Sequence, residues 1–174
     1  SEYRKKVAPP VTLGGRLSYD MAVILGDKNK QGQIVLLEDF KKLTQVFDEF
    51  LIDVDGDEKD FFAQFNQIYL GNVLVCYEND IPLGCGAFKE LESNTAEIKR
   101  MFVVTEGRGK GVASTILTEL ENWAKELNCT SAQLETSQKL ESAIAMYRKF
   151  GYEDIPNYGQ YVGVETSMCM KKIL

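Results

Sequence analysis

Residues 106–114 read Glu106-Gly107-Arg108-Gly109-Lys110-Gly111-Val112-Ala113-Ser114, and they carry the strongest structural signal in the chain. A strand pattern precedes this stretch, and an amphipathic helix pattern follows it. The stretch is therefore predicted to be the loop that joins the end of a strand to the start of a helix. Unpaired backbone N–H groups and the positive end of a helix dipole point outward at such a loop, so it is expected to bind an anion.

The loop favours a pyrophosphate as its ligand, because glycines allow a close approach to the backbone and Arg108 and Lys110 add positive charge. It differs from two familiar phosphate loops. A Walker A loop requires Ser or Thr directly after Gly-Lys, but Gly111 follows Lys110. The dinucleotide fingerprint Gly-x-Gly-x-x-Gly starts at Gly109 but meets Ser114 at its last position, and no opening βαβ unit precedes it. A different anion loop is therefore indicated.

The elements around the loop predict an α+β protein, with three meander strands, a βαβ step and two closing strands. The predicted elements, in order, are a strand at 34–37, a helix from 38 to about 51, a helix from about 57 to 69, strands at 73–77, 83–91 and 95–104, a helix at 112–127, a strand at 131–135, a helix at about 138–150, and a final hairpin at 160–164 and 166–172. Gly151 is suited to end the last helix in the left-handed conformation. Residues 1–33 are predicted to be an N-terminal arm with one possible extra strand.

Composition excludes several kinds of chemistry. The 174 residues include no His, which removes imidazole catalysis and His-ligated metals, and the net charge of −6 disfavours nucleic acid as a partner. The four cysteines form no Cys-x-x-Cys pair, so no zinc or thioredoxin-like motif is present and no metal site is predicted. They are expected to be buried free thiols, which predicts a cytoplasmic location. No apolar run is long enough to predict a membrane span.

Three segments occur in an informative order. Arg108–Ala113 reads Arg-x-x-Gly-x-Ala, the strand at 96–104 precedes it, and residues 143–152 contain Ala-x-x-x-Tyr-x-x-x-Gly-Tyr. In motif, order and spacing these segments resemble the GNAT N-acetyltransferase superfamily, whose acetyl-CoA signature is Gln/Arg-x-x-Gly-x-Gly/Ala. The motifs cover residues 95–155, and the resemblance extends over about 34–174 but not before residue 34.

The resemblance implies a GNAT-like fold, which is a mixed, mostly antiparallel twisted sheet of six to seven strands flanked by about four helices. Residues 34–174 would then form a single GNAT-like acetyltransferase domain. The central strands of the sheet would splay where the coenzyme enters.

The resemblance also implies site residues. Loop amides would bind the coenzyme A pyrophosphate, and the pantetheine arm would pair like an extra strand with the end of the central strand. The implied cofactor-binding residues are Met101, Phe102, Val103, Arg108, Gly109, Lys110, Gly111, Val112, Ala113 and Ser114. Tyr147 would protonate the leaving thiolate, and Glu97 lies where several members supply a general base. Leu140 stands where many members have Asn, which puts one cofactor or backbone contact in doubt.

The function implied is transfer of an acetyl group from acetyl-CoA to a primary amine by direct attack, because a thioester and an amine need no enzyme nucleophile. The acceptor would be a small-molecule or peptide amine, with no metal, nucleic acid or membrane involved, and a homodimer is left open. Two alternatives stay open. The chain could be a non-catalytic acyl-CoA-binding module, or a protein that uses the same loop to bind a nucleotide.

Each site residue also has a purely structural interpretation. Arg108–Ala113 could be an ordinary strand-to-helix turn. Tyr147 shares a helix face with Leu140 and Ile144, where an aromatic ring usually belongs to the core. Strand alternation places Glu97 and Lys99 on the same face of the sheet, where a solvated cross-strand ion pair is common. Tyr158 and Tyr161 could border the acceptor cleft or pack the last hairpin.

Overall fold

The computed structural model describes residues 8–13, 17–24, 31–63 and 72–174, and the side chains of residues 38–63 and 72–174. The strands of these residues are β1 (Ala8–Leu13), β2 (Leu17–Ile24), β3 (Asn72–Glu78), β4 (Ile81–Leu91), β5 (Thr95–Val103), β6 (Ser131–Ser137), β7 (Glu153–Ile155) and β8 (Ser167–Ile173). The α-helices are α1 (Gln31–Asp55), α2 (Lys59–Ala63), α3 (Val112–Glu126) and α4 (Glu141–Lys149).

Within the described residues the strands form one eight-stranded sheet in the order β1-β2-β3-β4-β5-β6-β8-β7. All neighbouring strands are antiparallel except β5 and β6, which are parallel. The predicted α+β class, the mostly antiparallel mixed sheet, its three-strand meander and the four helices are confirmed. The described residues within 34–174 contribute six strands to this sheet, β3 to β8, in agreement with the six to seven predicted. The N-terminal arm adds two strands rather than the one possible strand predicted, because β1 and β2 pair with each other and β2 continues the sheet from β3.

Helices cover both faces of the central sheet, and β3 shows this clearly. Its residues Val73 and Val75 belong to a buried cluster with Phe40 of α1, while Leu74 belongs to the buried cluster on the other face with Ile116 of α3. A strand buried on both faces reads as a continuous apolar run, which explains the sequence Val-Leu-Val-Cys-Tyr at 73–77. The cluster that contains Leu74 and Ile116 lies beneath α3, the helix that follows the glycine loop.

The strand predicted at 34–37 is wrong. These residues belong to α1, which begins at Gln31. A short run of apolar residues fits a buried strand or a buried helix segment equally well by periodicity. The helical spacing that continues through Phe40, Leu43 and Phe47 resolves the ambiguity in favour of one long helix.

The first strand of the predicted final hairpin is also wrong. Residues 160 and 161 belong to the 3₁₀ turn Gly159–Tyr161 rather than to a strand. The outer neighbour of β8 is instead β7, with Ile155 opposite Cys169, and the other edge of β8 pairs with β6. The helix predicted from about residue 138 begins at Glu141. At Gln138 the backbone N–H still donates to the Thr166 carbonyl oxygen at 2.9 Å, so the chain is not yet helical there.

Two predictions are affected by the limits of the described residues. The helix predicted to extend to residue 69 is α2 as far as Ala63, and residues 64–71 lie outside the described residues. The division between an arm and a domain at residue 34 concerns folding units rather than strand pairing, and it stays a prediction. The four cysteines are confirmed as buried free thiols.

Candidate functional site

A cleft opens between β5 and β6 because the two strands pair over only part of their length. Their parallel pairing runs from Thr95 opposite Ser131 to Ile98 opposite Leu134. Beyond this point β6 continues to pair with β8 as far as Ser137, while β5 continues toward the glycine loop. A cavity of about 640 Å³ occupies the opening, lined by β5, β6, α1, α4 and the start of α3. The predicted splay of the central strands is therefore present.

A β-bulge in β5 shapes the wall of this cavity. Cys85 of β4 pairs with Phe102, but Ala87 pairs with Lys99, so Gly86 faces two residues of β5. One of the two, Arg100, has φ of 58°, a left-handed conformation that L-residues rarely adopt. The bulge changes which side chains and backbone groups face the cavity. Met101, Phe102 and Val103 line it directly after the bulge.

Helix α1 holds the bulge through Arg100. One guanidinium nitrogen, Nη2, donates to Asp48 Oδ1 at 2.8 Å and to the Thr44 carbonyl oxygen at 3.0 Å. The guanidinium also lies 5.1 Å from the centroid of the Phe47 ring, which stacks on Phe102 at 5.0 Å. The Arg100 side chain is only 3% exposed. This contact therefore fixes α1 against the cavity wall.

The glycine loop has the backbone geometry of an anion site. Gly109 and Gly111 have φ of 72° and 79°, which side-chain-bearing residues avoid. Gly111 is the N-cap of α3, and no side chain caps its amides. The first N–H groups of a helix have no partner within it, so these amides are available to a ligand. These amides lie where the sequence predicts an anion site, and anion binding by the loop stays a prediction.

The predicted cofactor-binding residues divide into two groups. Met101, Phe102, Val103, Arg108 and Ala113 line the cavity. The others form the loop and helix start beside it. Among them are Gly109, Lys110 and Gly111, which are exposed, Ser114, which is half-buried, and Val112, which is buried in the core beneath α3.

The two loop cations have partners within the chain. Arg108 Nε donates to the Val103 carbonyl oxygen at 3.2 Å, and its guanidinium carbon lies 5.7 Å from the Phe50 ring centroid. Lys110 Nζ lies 3.3 Å from Glu78 Oε2. These contacts are exposed, so a bound anion can compete for both cations.

Tyr147 reaches the cavity from α4. Its side chain is buried and packs edge-on against Tyr152, with ring centroids 5.7 Å apart. The structure therefore combines the core position and the site position that the sequence offered as alternatives. Burial, and to a lesser extent the charge of Glu135, raises the pKa of Tyr147, so its phenol keeps its proton across the working pH range.

Glu97 lies in the cavity wall, but it is buried rather than solvated. Its Oε2 is 3.4 Å from Lys89 Nζ and 3.9 Å from Lys99 Nζ, and its Oε1 accepts a hydrogen bond from Tyr158 at 2.9 Å. The predicted cross-strand ion pair therefore exists, although only 4% of the Glu97 side chain is exposed. Tyr161 lines the same cavity.

The sequence analysis missed a second carboxylate, Glu135 of β6. It is half-buried, lines the cavity, and accepts a hydrogen bond from Ser167 Oγ at 2.6 Å. Burial is the largest influence on it and raises its pKa to about 7. Polar Gln133, Glu135 and Ser137 alternate along β6, and this pattern in an otherwise covered strand was the available signal.

Two classes of site are not seen in the part of the chain that the structure describes. No group of three or more His, Cys, Asp or Glu side chains there could hold a metal ion. No helix there is both long and apolar enough to cross a membrane.

Comparison with known sequences gives one family. The model of the Acetyltransferase (GNAT) family matches residues 38–152. An IAA acetyltransferase of Azospirillum brasilense is 29% identical over 136 residues, which are 76% of this chain and 89% of that protein. The matched region includes β5, the glycine loop, α3 and α4.

Comparison with solved structures gives the same fold. A protein of Klebsiella pneumoniae assigned as an acyl-CoA N-acyltransferase superimposes with a TM-score of 0.70 at 23% identity, over 90% of this chain and 97% of that one. The PaiA N-acetyltransferase of Thermoplasma acidophilum, solved in complex with coenzyme A, superimposes with a TM-score of 0.62 at 18% identity, over 91% of this chain and 100% of that one. At these identities the likeness establishes the fold alone.

Proposed function

Because this chain belongs to the GNAT acetyltransferase family, we propose that it transfers the acetyl group of acetyl-CoA to a primary amine by direct attack of the amine on the thioester. The chain is an acyltransferase by family. The observation that carries the finer proposal is the single cavity that Arg108, Tyr147 and Glu135 share. In this cavity the cationic glycine loop, the protonated phenol of Tyr147 and the carboxylate of Glu135 lie together where the central strands separate.

The coenzyme would be held by the glycine loop and by the end of β5. The amides at the start of α3 and the side chains of Arg108 and Lys110 suit the pyrophosphate. After the bulge, at residues 101–103, β5 no longer pairs with β6, and this strand edge suits an extended pantetheine arm that pairs like a strand. Acetyl-CoA supplies an activated acetyl group as a thioester.

The reaction requires three catalytic roles from the chain. The acceptor amine must be neutral, the developing oxyanion must meet N–H donors, and the leaving thiolate must receive a proton. Backbone N–H groups of β5 near Val103 would donate hydrogen bonds to the oxyanion, and Tyr147 would protonate the thiolate. Glu97 is the base that the sequence predicted, and Glu135 is a second candidate with different surroundings.

Direct attack is supported by the state of the thiols. Burial raises the pKa of Cys85 to about 12, and burial likewise raises the pKa values of Cys129 and Cys169. A thiol that keeps its proton is a poor nucleophile. Among the cavity-lining residues of the described chain there is no cysteine. An acetyl-cysteine step is therefore not part of the proposal.

The proposed acceptor is a small-molecule or peptide amine, and the acidic chain, with a net charge of −6, favours a cationic one. A cytoplasmic location and a homodimer stay predictions from the sequence.

The function is tested by measuring coenzyme A thiol release from acetyl-CoA across a broad panel of amines. We expect amine-dependent release with at least one class of amine. Tight binding of coenzyme A without turnover across the panel would favour the acyl-CoA-binding module instead. Preferential binding of ATP or NAD over coenzyme A would contradict the proposal in favour of a nucleotide-binding protein.

The role of the loop is tested by Arg108→Ala. We expect the KM for acetyl-CoA to rise about 10-fold with little change in kcat, because one charge-assisted contact contributes roughly 1.4 kcal/mol to binding. The measurement is steady-state kinetics at low ionic strength. Arg148→Ala is the matched control, because Arg148 is exposed on α4 and pairs with Asp154. An equal change in both variants would contradict the assignment of Arg108 to the coenzyme.

A further inference from the structure

Two carboxylates line the wall of the cavity, and their surroundings differ. We propose that Glu135 accepts the proton that the acceptor ammonium must lose, and that Glu97 is a positioning residue that holds Lys99 and Tyr158 beside it. This inference rests on the proposed function, since it names the base for that reaction.

Glu97 is engaged by three groups. Its two oxygens meet the ammonium groups of Lys89 and Lys99 and the hydroxyl of Tyr158. A general base must become protonated during the reaction. Protonating Glu97 would remove the negative charge that faces two ammonium groups, in a buried place where water replaces little of that interaction. Glu97 is therefore better suited to hold its neighbours than to accept a proton.

Glu135 has the opposite surroundings. Its hydrogen bond comes from the neutral Ser167 hydroxyl, and within the described residues it forms no ion pair. Its carboxylate lines the open side of the cleft, where β6 has separated from β5. A proton on Glu135 thus breaks no ion pair.

Charged and titratable groups face Glu135 from every neighbouring element. They are Asp55 of α1, Glu97 and Lys99 of β5, Tyr147 of α4, Tyr161 of the 3₁₀ turn and Cys169 of β8. Burial has the largest effect on the pKa of Glu135 and raises it. The Ser167 hydrogen bond and the charge of Lys99 lower this pKa, while the charges of Asp55 and Glu97 raise it, and the resulting pKa is about 7. A base of this strength is half-ionised near neutral pH and can take up a proton there.

Glu135 and the proposed acid, Tyr147, act at one cavity. Both residues line it, and the Glu135 charge contributes to the raised pKa of Tyr147. Base and acid on different elements, β6 and α4, leave space between them for the reacting atoms.

The proton and bond changes balance. The ammonium passes one proton to the Glu135 carboxylate, and the nitrogen lone pair forms a bond to the acetyl carbonyl carbon. The carbon–sulfur bond then breaks, and the thiolate takes the phenol proton of Tyr147. The new amide nitrogen loses its extra proton through water to restore Tyr147, and Glu135 releases its proton to solvent. The sum is an amide, a thiol and one proton from an ammonium and a thioester.

The first test is the pH profile of kcat/KM for an active acceptor in Glu135→Gln, with Glu97→Gln as the matched carboxylate-to-amide variant. In the wild type the rate should rise with pH through about 7, because only ionised Glu135 can accept the proton. Glu135→Gln should lose this rise with pH and about 10²- to 10⁴-fold of the rate at pH 7, which is the range of general-base effects. The kcat/KM of Glu97→Gln should still rise with pH through about 7, whether or not its absolute rate changes.

Two further measurements separate this inference from the proposed function. Carboxyl ¹³C NMR should show one glutamate titrating near pH 7 that is absent from Glu135→Gln, whether or not an acceptor is known. Coenzyme A binding shows that each variant is folded. If Glu135→Gln does not fold, Glu135→Asp takes its place, and its pH profile should still rise near neutral pH, at a lower rate than the wild type.

The outcomes are distinct. An active enzyme whose Glu135 titrates in the ordinary range of a glutamate, or whose rise in rate with pH survives in Glu135→Gln or is lost in Glu97→Gln, overturns the assignment of Glu135. Absence of turnover with any amine, together with an intact near-neutral titration, overturns the proposed function instead.

Discussion

Replacing Tyr147 by Phe is expected to lower kcat by about 10²- to 10⁴-fold, which is the range for loss of a general acid or base. The ring would stay in place, because its packing against Tyr152 does not involve the hydroxyl. The leaving thiolate would lose its proton donor. The KM for acetyl-CoA should change little, since the assigned coenzyme contacts lie on the loop and on β5. Steady-state kinetics with saturating acceptor measure the effect.

Tyr152→Phe is the matched control for this change. Tyr152 is buried against the same ring, in the core that includes Leu134 and Met170, and it does not line the cavity. We expect its kcat to stay within about twofold of the wild type, because a substitution away from the reacting groups changes no transition-state contact. Full turnover in Tyr147→Phe, or an equal loss in both variants, would contradict the assignment of Tyr147 as the acid.

A second large effect is expected on stability, when Asp48 is replaced by Ala. The change leaves the Arg100 guanidinium buried with the Thr44 carbonyl oxygen as its remaining hydrogen-bond acceptor in the described chain. Breaking a buried ion pair from one side is costly, and the partial exposure of Asp48 reduces the effect. We expect the free energy of unfolding to fall by about 2–3 kcal/mol, measured by urea denaturation.

The control for Asp48 is Glu49→Ala, at the next position of α1, where the side chain is exposed. It should change the free energy of unfolding by no more than about 0.5 kcal/mol. Asp48→Ala combined with Arg100→Met should be less destabilised than the sum of the single changes, because the buried charge is then gone. Additive effects would show that Arg100 and Asp48 do not stabilise the bulge as a pair.

The sequence predicted the parts of the site that depend on local pattern. The glycine loop and the helix after it follow from residue order and helical spacing, which local backbone geometry preserves. Helical spacing places Tyr147 in the core, and only the resemblance places it at the site. The meander and the splayed central strands followed from the resemblance. These features position Arg108 and Tyr147 in one cavity, as expected.

The sequence could not predict features that depend on a bulge or on a long-range partner. Lys99 and Arg100 continue a regular strand pattern, so nothing local indicates that the chain bulges there. The buried Glu97 accepts its hydrogen bond from Tyr158, which is 61 residues away in the chain. Glu135 acquires its raised pKa through burial in the fold, and its hydrogen-bond donor Ser167 is 32 residues away.

Direct acetyl transfer to an amine can be followed in a reaction with acetyl-CoA that carries an isotopic label in the acetyl group. We expect one labelled amide for each thiol released, and no label on the protein when the acceptor is omitted. Label found on a cysteine of the protein, or thiol release without labelled amide, would contradict it.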